Sequence, residues 1–213
     1  MSAADRVIAQ CRKPSGLFGR FILWEMNRHH SKLTDWGLSY VTVKKTDTVL
    51  DVGCGGGRTI NKLANVADKV HGIDYSEESV ATAHRINTRW IDIGRVSIRE
   101  GTVSQLPFPD GTFDLVTAIE THLFWPDLPK DMGEIFRVLR PGGALLIVAE
   151  IYTGGKHLEG VRKQIFEKHL AANMNLFTPD EHRALFTAAG FSDIEVFEQL
   201  DEGWICATGK KPN

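Results

Sequence analysis

From residue 48 onward, short apolar runs alternate with stretches in which apolar positions recur every three or four residues. The first pattern is that of strands buried on both faces, the second that of amphipathic helices. Strands are predicted over 48–52, 69–73, 96–99, 113–118 and 144–150, with helices over 59–65, 77–90 and 128–139 between them. Such alternation gives a parallel sheet covered by helices on both sides, a doubly wound α/β fold. Pro141-Gly142-Gly143 stops the last helix and feeds the fifth strand, because proline cannot continue the helical ladder and glycine relieves the turn.

The tail changes this rhythm. Thr178-Pro179-Asp180-Glu181 is a helix start, predicting a helix over 178–189, and two β-rich stretches follow over 194–199 and 204–208. The four residues between them are too few for a parallel crossover, so they form a hairpin and one strand runs antiparallel to the rest. Residues 1–46 and 154–177 stand outside the core pattern and are expected to be an N-terminal helical cap and a helical insertion, the natural material of a lid. With no repeat or linker visible, 1–213 is expected to form a single domain, its core at 47–150 and its C-terminal helix and β-hairpin at 178–213.

Composition narrows the class. At 42% apolar and 24% charged residues the chain has an ordinary globular composition, with no run of about 18 apolar residues that would span a bilayer. The first residues lack the apolar core of a signal peptide, which makes the expected location cytoplasmic, without membrane insertion. With 25 Lys plus Arg against 27 Asp plus Glu there is no basic excess to hold a long polyphosphate, so a small-molecule substrate is expected rather than nucleic acid. No pattern along the chain encodes an oligomeric state. Cys11, Cys54 and Cys206 have neither disulfide nor zinc spacing, and no metal is expected.

The apolar run ending at Asp51 leads through Gly53-Cys54-Gly55-Gly56-Gly57 into a helix, a tight turn where a ligand can approach bare backbone. A nicotinamide dinucleotide fingerprint needs a further glycine where Arg58 stands, so the pattern departs from that class. Twenty-one residues after Gly53 the second strand ends at Asp74, placed to accept hydrogen bonds from both hydroxyls of a ribose. Its bland alternative is to cap the next helix, a role equally open to Ser76.

Four segments in this order, VLDVGCGGG (49–57), GIDYS (72–76), EGTVSQLPFPDGTFDLV (100–116) and FRVLRPGGALLI (136–147), resemble the class I S-adenosylmethionine-dependent methyltransferases, in their small-molecule branch that includes ubiquinone- and menaquinone-biosynthesis-type enzymes. The resemblance implies a Rossmann-like, mostly parallel seven-stranded sheet with its last strand antiparallel. It implies S-adenosylmethionine as methyl donor, with S-adenosylhomocysteine as product. Carried over by position, Asp51, Gly53, Cys54 and Gly55 line the methionine end, Asp74 holds the ribose and Tyr75 packs on adenine. Thr102 and Val103 stand where the family often has Asp-Ala against the adenine edge, and Ile119 completes the wall. Leu106, Pro107 and Phe108 are expected to shape their loop by packing.

Methyl transfer needs mainly an aligned acceptor and exclusion of water, with a general base where the acceptor carries a proton. The fourth strand ends at Ile119-Glu120-Thr121-His122, which a doubly wound sheet turns toward the ligand crevice. His122 is the first candidate base because imidazole titrates near neutrality, and Glu120 is its rival. His29, His30, Trp36 and Tyr152 are candidates to close over the substrate, or else pack a cap on the core. His71, His84, His157, His169 and His182 read as surface or helix-face residues. The chain lacks an Asn-Pro-Pro-Tyr-type motif, a Pro-Cys nucleophile and any evident acidic set for magnesium. What remains is a small acceptor with a hydroxyl, amine, thiol or activated carbon. The alternatives are an RNA or protein methyltransferase, which calls for a contiguous Lys/Arg face, and a non-catalytic cofactor-binding protein.

Overall fold

A computed structural model describes residues 10, 13–16, 19, 21, 23, 28, 30–158 and 174–213. Its centre is a seven-stranded sheet in the order β3-β2-β1-β4-β5-β7-β6. The strands are β1 (Thr48–Val52), β2 (Lys69–Asp74), β3 (Val96–Glu100), β4 (Phe113–Ile119), β5 (Leu139–Ala149), β6 (Ser192–Gln199) and β7 (Trp204–Lys210). Strands β1 to β5 pair in parallel, whereas β7 lies antiparallel between β5 and β6. The helices that lie wholly within the described residues are α1 (Ser31–Leu38), α2 (Arg58–Leu63), α3 (Glu77–Asp92), α4 (Leu128–Val138) and α5 (Pro179–Ala188). The doubly wound fold and the antiparallel last strand agree with the sequence pattern.

Alternation along the central strands divides the core in two. Leu50, Val116, Leu145, Ile147 and Ala207 join Met132, Ile135 and Val138 of α4 and Phe186 of α5 in one cluster. Val49, Leu115, Leu146, Val148 and Cys206 join Leu33 of α1, Ile60 and Leu63 of α2 and Ala83 of α3 in the other. Because β1, β4 and β5 are covered on both faces, they read as continuous apolar runs. Helix α1 comes close to β5: a Cβ on Gly37 would lie 2.4 Å from a methyl of Val148.

The boundaries differ mainly around Pro141. Strand β5 begins at Leu139, five residues before the predicted start. The pairing with β4 slips between Phe113 and Leu115, so residues 140–143 form an irregularity within the strand rather than a separate turn. Helix α4 ends at Val138, and its C-cap residue is already extended. The predicted helical cap and insertion fall largely outside the described residues. Within them lie α1 and a short 3-10 turn, Lys156–Leu158. Among the described residues, no helix is long and apolar enough to cross a membrane.

Candidate functional site

The carboxyl ends of β1, β2 and β4 open into a cavity of about 380 Å³. It is lined by Asp51, Gly53, Cys54, Gly55, Asp74, Tyr75, Thr102, Val103 and Ile119, all expected at a cofactor, and by Glu120, His30, Phe124 and Trp125. The connection after β1 is pinned from outside: the Gly53 and Cys54 amides both donate to the Ile73 carbonyl, at 2.8 and 3.0 Å. Its glycines do different jobs. Gly53 (φ +68) admits the neighbouring chain, since a Cβ there would meet Thr121 Cγ2 at 2.5 Å. Gly57 (φ +79) lets α2 start against α3, where a Cβ would meet Asn87 and Ala83 below 3 Å. Gly55 (φ +51) faces open space, its nearest side-chain atom 4.0 Å away on Leu23, and so offers bare backbone to a ligand. Close helix packing, sought at Arg58 in the sequence, is therefore supplied one residue earlier.

Asp74 is buried, and its two carboxylate oxygens accept from the Gly55 and Ser76 amides, each at 2.9 Å. The cap of α3 is Ser76, whose hydroxyl accepts from the Ser79 amide and donates to the Pro14 carbonyl. The Ser79 side chain also bonds to Asp74; the cap residue itself is Ser76, and a carboxylate has a lone pair beyond the three engaged. Burial pushes its pKa up, against the lowering effect of the Ser76 and Gly55 amides. Next to it, Tyr75 carries Lys13 5.3 Å from its ring centre. Thr102 Oγ1 accepts from the Ser104 amide, which folds the following loop back on itself. That loop is held by α4: Glu134 accepts from the Leu106 amide, and Arg137 donates to the Leu106 and Phe108 carbonyls and to Asp110. Leu106 and Phe108 are buried in the core, whereas Pro107 is exposed.

Asp51 is buried below the glycine turn, with Thr117 Oγ1 donating to it at 2.7 Å. Burial, opposed by that hydrogen bond and reinforced by the charge of Asp74, moves its pKa up to about 7. Burial and the two nearby carboxylates likewise raise the Cys54 thiol.

On the β4–β5 side Glu120 adopts φ +61, a left-handed conformation uncommon for a side-chain-bearing residue. Its carboxylate accepts from the Glu150 amide. His30, preceding α1, stands 3.5 Å from the Glu150 carboxylate. One donor atom from each of His30, Glu120 and Glu150 lies within 4.8 Å of the others, a set able to hold a metal ion. This corrects the expectation that no acidic set stands beside the site: the three residues are far apart in sequence and meet only through the sheet. Burial raises Glu120 to about 7, with His30 pulling it down and Glu150 pushing it up. For His30, burial acts to lower the pKa, but the Glu150 hydrogen bond and the Glu120 and Glu150 charges outweigh it and raise it.

Two other expectations, at His122 and His182, are corrected, and at Tyr152 and Trp36 the packing alternative is the one found. His122 is fully buried in the 3-10 turn His122–Phe124, outside the cavity wall, with Nε2 3.2 Å from Nε2 of His182. His182 is therefore a core residue rather than a surface one. Tyr152 is also buried away from the wall and donates to Glu198 at 2.8 Å. Trp36 packs against Tyr40 and Trp204, with ring centres 5.3 and 5.8 Å apart. His29 and His169 lie outside the described residues. Phe124 and Trp125 were missed, although the apolar Leu-Phe-Trp run following the fourth strand marked a wall.

The methyltransferase domain family matches residues 50–147. The uncharacterized methyltransferase YdaC of Bacillus subtilis is 27% identical over 191 residues, covering 88% of this chain and 96% of YdaC. The 27-O-demethylrifamycin SV methyltransferase of Amycolatopsis mediterranei is 33% identical over 141 residues, covering 59% of this chain. The chain spans only 52% of that second relative. In fold, the chain is similar to Haemonchus contortus phosphoethanolamine N-methyltransferase 2, solved with phosphomonomethylethanolamine and S-adenosylhomocysteine. That likeness has a TM-score of 0.74 at 18% identity, over 92% of this chain and 57% of the other.

Proposed function

Because the chain belongs to the class I S-adenosylmethionine-dependent methyltransferases, we propose that it moves the methyl group directly, in line, to a small molecule seated over the ends of β4 and β5. The observation that carries this reading is one cavity joining the open backbone of Gly55 and the Asp74 carboxylate to the Glu120 wall. The residues present fit the cofactor. Asp74 would hold its ribose, the Gly53–Gly55 turn and Asp51 its amino-acid end, and Tyr75, Thr102 and Val103 its base. When bound, S-adenosylmethionine supplies a methyl group already activated on a sulfonium.

What the protein adds is alignment, which can contribute about 7–11 kcal/mol toward the barrier. Phe124 and Trp125 keep water from the reacting atoms, and Ile119 supports the cofactor side of the wall. Glu120 takes the proton that the acceptor gives up. Its pKa near 7 leaves a substantial carboxylate fraction at neutral pH, with His30 beside it to balance charge. The size of the cavity suits a metabolite, as does a net charge of −2.

Titration with S-adenosylhomocysteine by calorimetry tests the cofactor half, and a labelled-methyl screen over pooled metabolites with mass detection tests the transfer. Saturable binding and a methylated product are expected. Binding without product from any small-molecule pool would favour a non-catalytic cofactor-binding protein.

A further inference from the structure

The glycine turn after β1 is held from three sides. At its start the Gly53 and Cys54 amides donate to the Ile73 carbonyl, and in its middle the Gly55 amide donates to Asp74. Both of these anchors belong to the end of β2 and line the cavity. The third is Asn87, in the second half of α3, fully buried and outside the cavity wall. Its side-chain nitrogen donates to the Gly57 and Ala83 carbonyls, each at 2.9 Å, and its oxygen accepts from the Asn61 side chain of α2 at 3.2 Å. Carbonyl oxygens can only accept, so the atom that faces them is the nitrogen. The fit is close, since a Cβ on Gly57 would lie 2.6 Å from it.

Satisfying an orphaned carbonyl does not account for this contact. The Gly57 carbonyl already accepts from the Asn61 amide at 3.1 Å. Asparagine is also a poorer helix former than alanine, and burying its amide costs free energy unless the amide is bonded. What the side chain adds is a tie between the helix that follows Asp74 and the turn that follows β1. Resting on the methyl-transfer reading above, we propose that Asn87 is a positioning residue for the cofactor. By fixing the far end of the glycine turn against α3, it sets the backbone that receives the amino-acid end. Asn87 acts through Gly57 and touches no ligand. The nucleoside rests on other residues, Asp74, Tyr75 and Val103, so loosening the turn costs the amino-acid end more than the nucleoside.

The test compares, by calorimetry, S-adenosylhomocysteine with 5′-methylthioadenosine, which keeps the nucleoside and lacks the amino-acid end. In Asn87→Ala, chosen because alanine preserves the helix, S-adenosylhomocysteine is expected to bind at least about threefold more weakly, the worth of one neutral hydrogen bond. Methylthioadenosine is expected to stay within about twofold of its wild-type affinity. A second variant, Asn87→Asp, keeps the shape but turns a carboxyl oxygen toward the two carbonyls. Protonated, that group can donate to one of them, whereas ionised it repels both. Its shortfall in S-adenosylhomocysteine affinity, relative to wild type at the same pH, is therefore expected to widen between pH 5 and pH 8. Unchanged affinity in Asn87→Ala, an equal loss for both ligands, or a shortfall in Asn87→Asp that ignores pH would overturn the proposal by reducing the side chain to packing. Should Asn87→Ala fail to fold, the pH dependence of Asn87→Asp decides alone. Absence of S-adenosylhomocysteine binding by the wild type would instead overturn the underlying methyl-transfer reading, and this proposal with it.

Discussion

Asp74 and Glu120 are both acids at the carboxyl ends of strands, yet their surroundings give them different work. Asp74 is fixed by two amides and the Ser79 side chain and keeps acceptor capacity for a ligand. We expect Asp74→Ala to weaken S-adenosylhomocysteine binding at least about tenfold by calorimetry, the worth of one charged hydrogen bond. Unchanged affinity would remove it from the site. For Glu120, raised to about 7, the transfer rate should climb with pH through that region as the carboxylate forms, and Glu120→Gln should flatten the profile. Asp51 reports through stability. Its folded pKa, about 7, exceeds the ordinary 3.8, so its stabilising contribution is full below the unfolded value and lost as pH rises through about 7. Melting curves of the unliganded protein at pH 5 and pH 8 should therefore converge in Asp51→Asn relative to wild type. The place of Asp74 on the cavity was legible in the sequence because it depends on spacing along two adjacent strands. His122 was misjudged because spacing gives the strand end but not the turn that follows, which rotates the ring into the core.

At the scale of elements, helix starts were the most legible features, since capping is local chemistry. Thr178 accepts from the Glu181 amide while the Glu181 side chain accepts from the Thr178 amide, a reciprocal cap readable from the four residues alone. Thr178→Ala should cost about 1 kcal/mol in a denaturation experiment. Strand β5 was legible in its second half only. The apolar run from Ala144 announces burial, but pairing of Leu139 with Phe113 depends on a register that Pro141 and two glycines disguise. The Glu134–Arg137 brace on the loop after β3 was also invisible, because its partners are a backbone amide and carbonyls about thirty residues away.

Across the whole molecule, the wall of the site is tied to the C-terminal helix through the His122–His182 contact. Burial lowers both rings, His182 adding its charge against His122, while the Thr178 carbonyl and Glu181 partly restore His182. The folded state thus binds fewer protons than the unfolded chain below the ordinary imidazole pKa. The pair's contribution is present above about pH 6.5 and is lost as pH falls through the depressed values. His182→Asn should lose less melting temperature than wild type between pH 7 and pH 5, a comparison in which the Asp51 effect is common to both. The strand directions, unlike this contact, followed from the sequence: alternating runs imply parallel crossovers, and a four-residue connection permits only a hairpin.

The insertion of β7 between β5 and β6 has a consequence for biosynthesis. Strand β6 leaves the ribosome before its neighbour exists, and among the described residues its one sheet partner is β7. A nascent chain can assemble the five parallel strands and shape the crevice while the edge beside β5 stays open. Synthesis through residue 210 must finish before that edge closes, so an arrested or clipped product would carry a nearly formed pocket beside an adhesive flank.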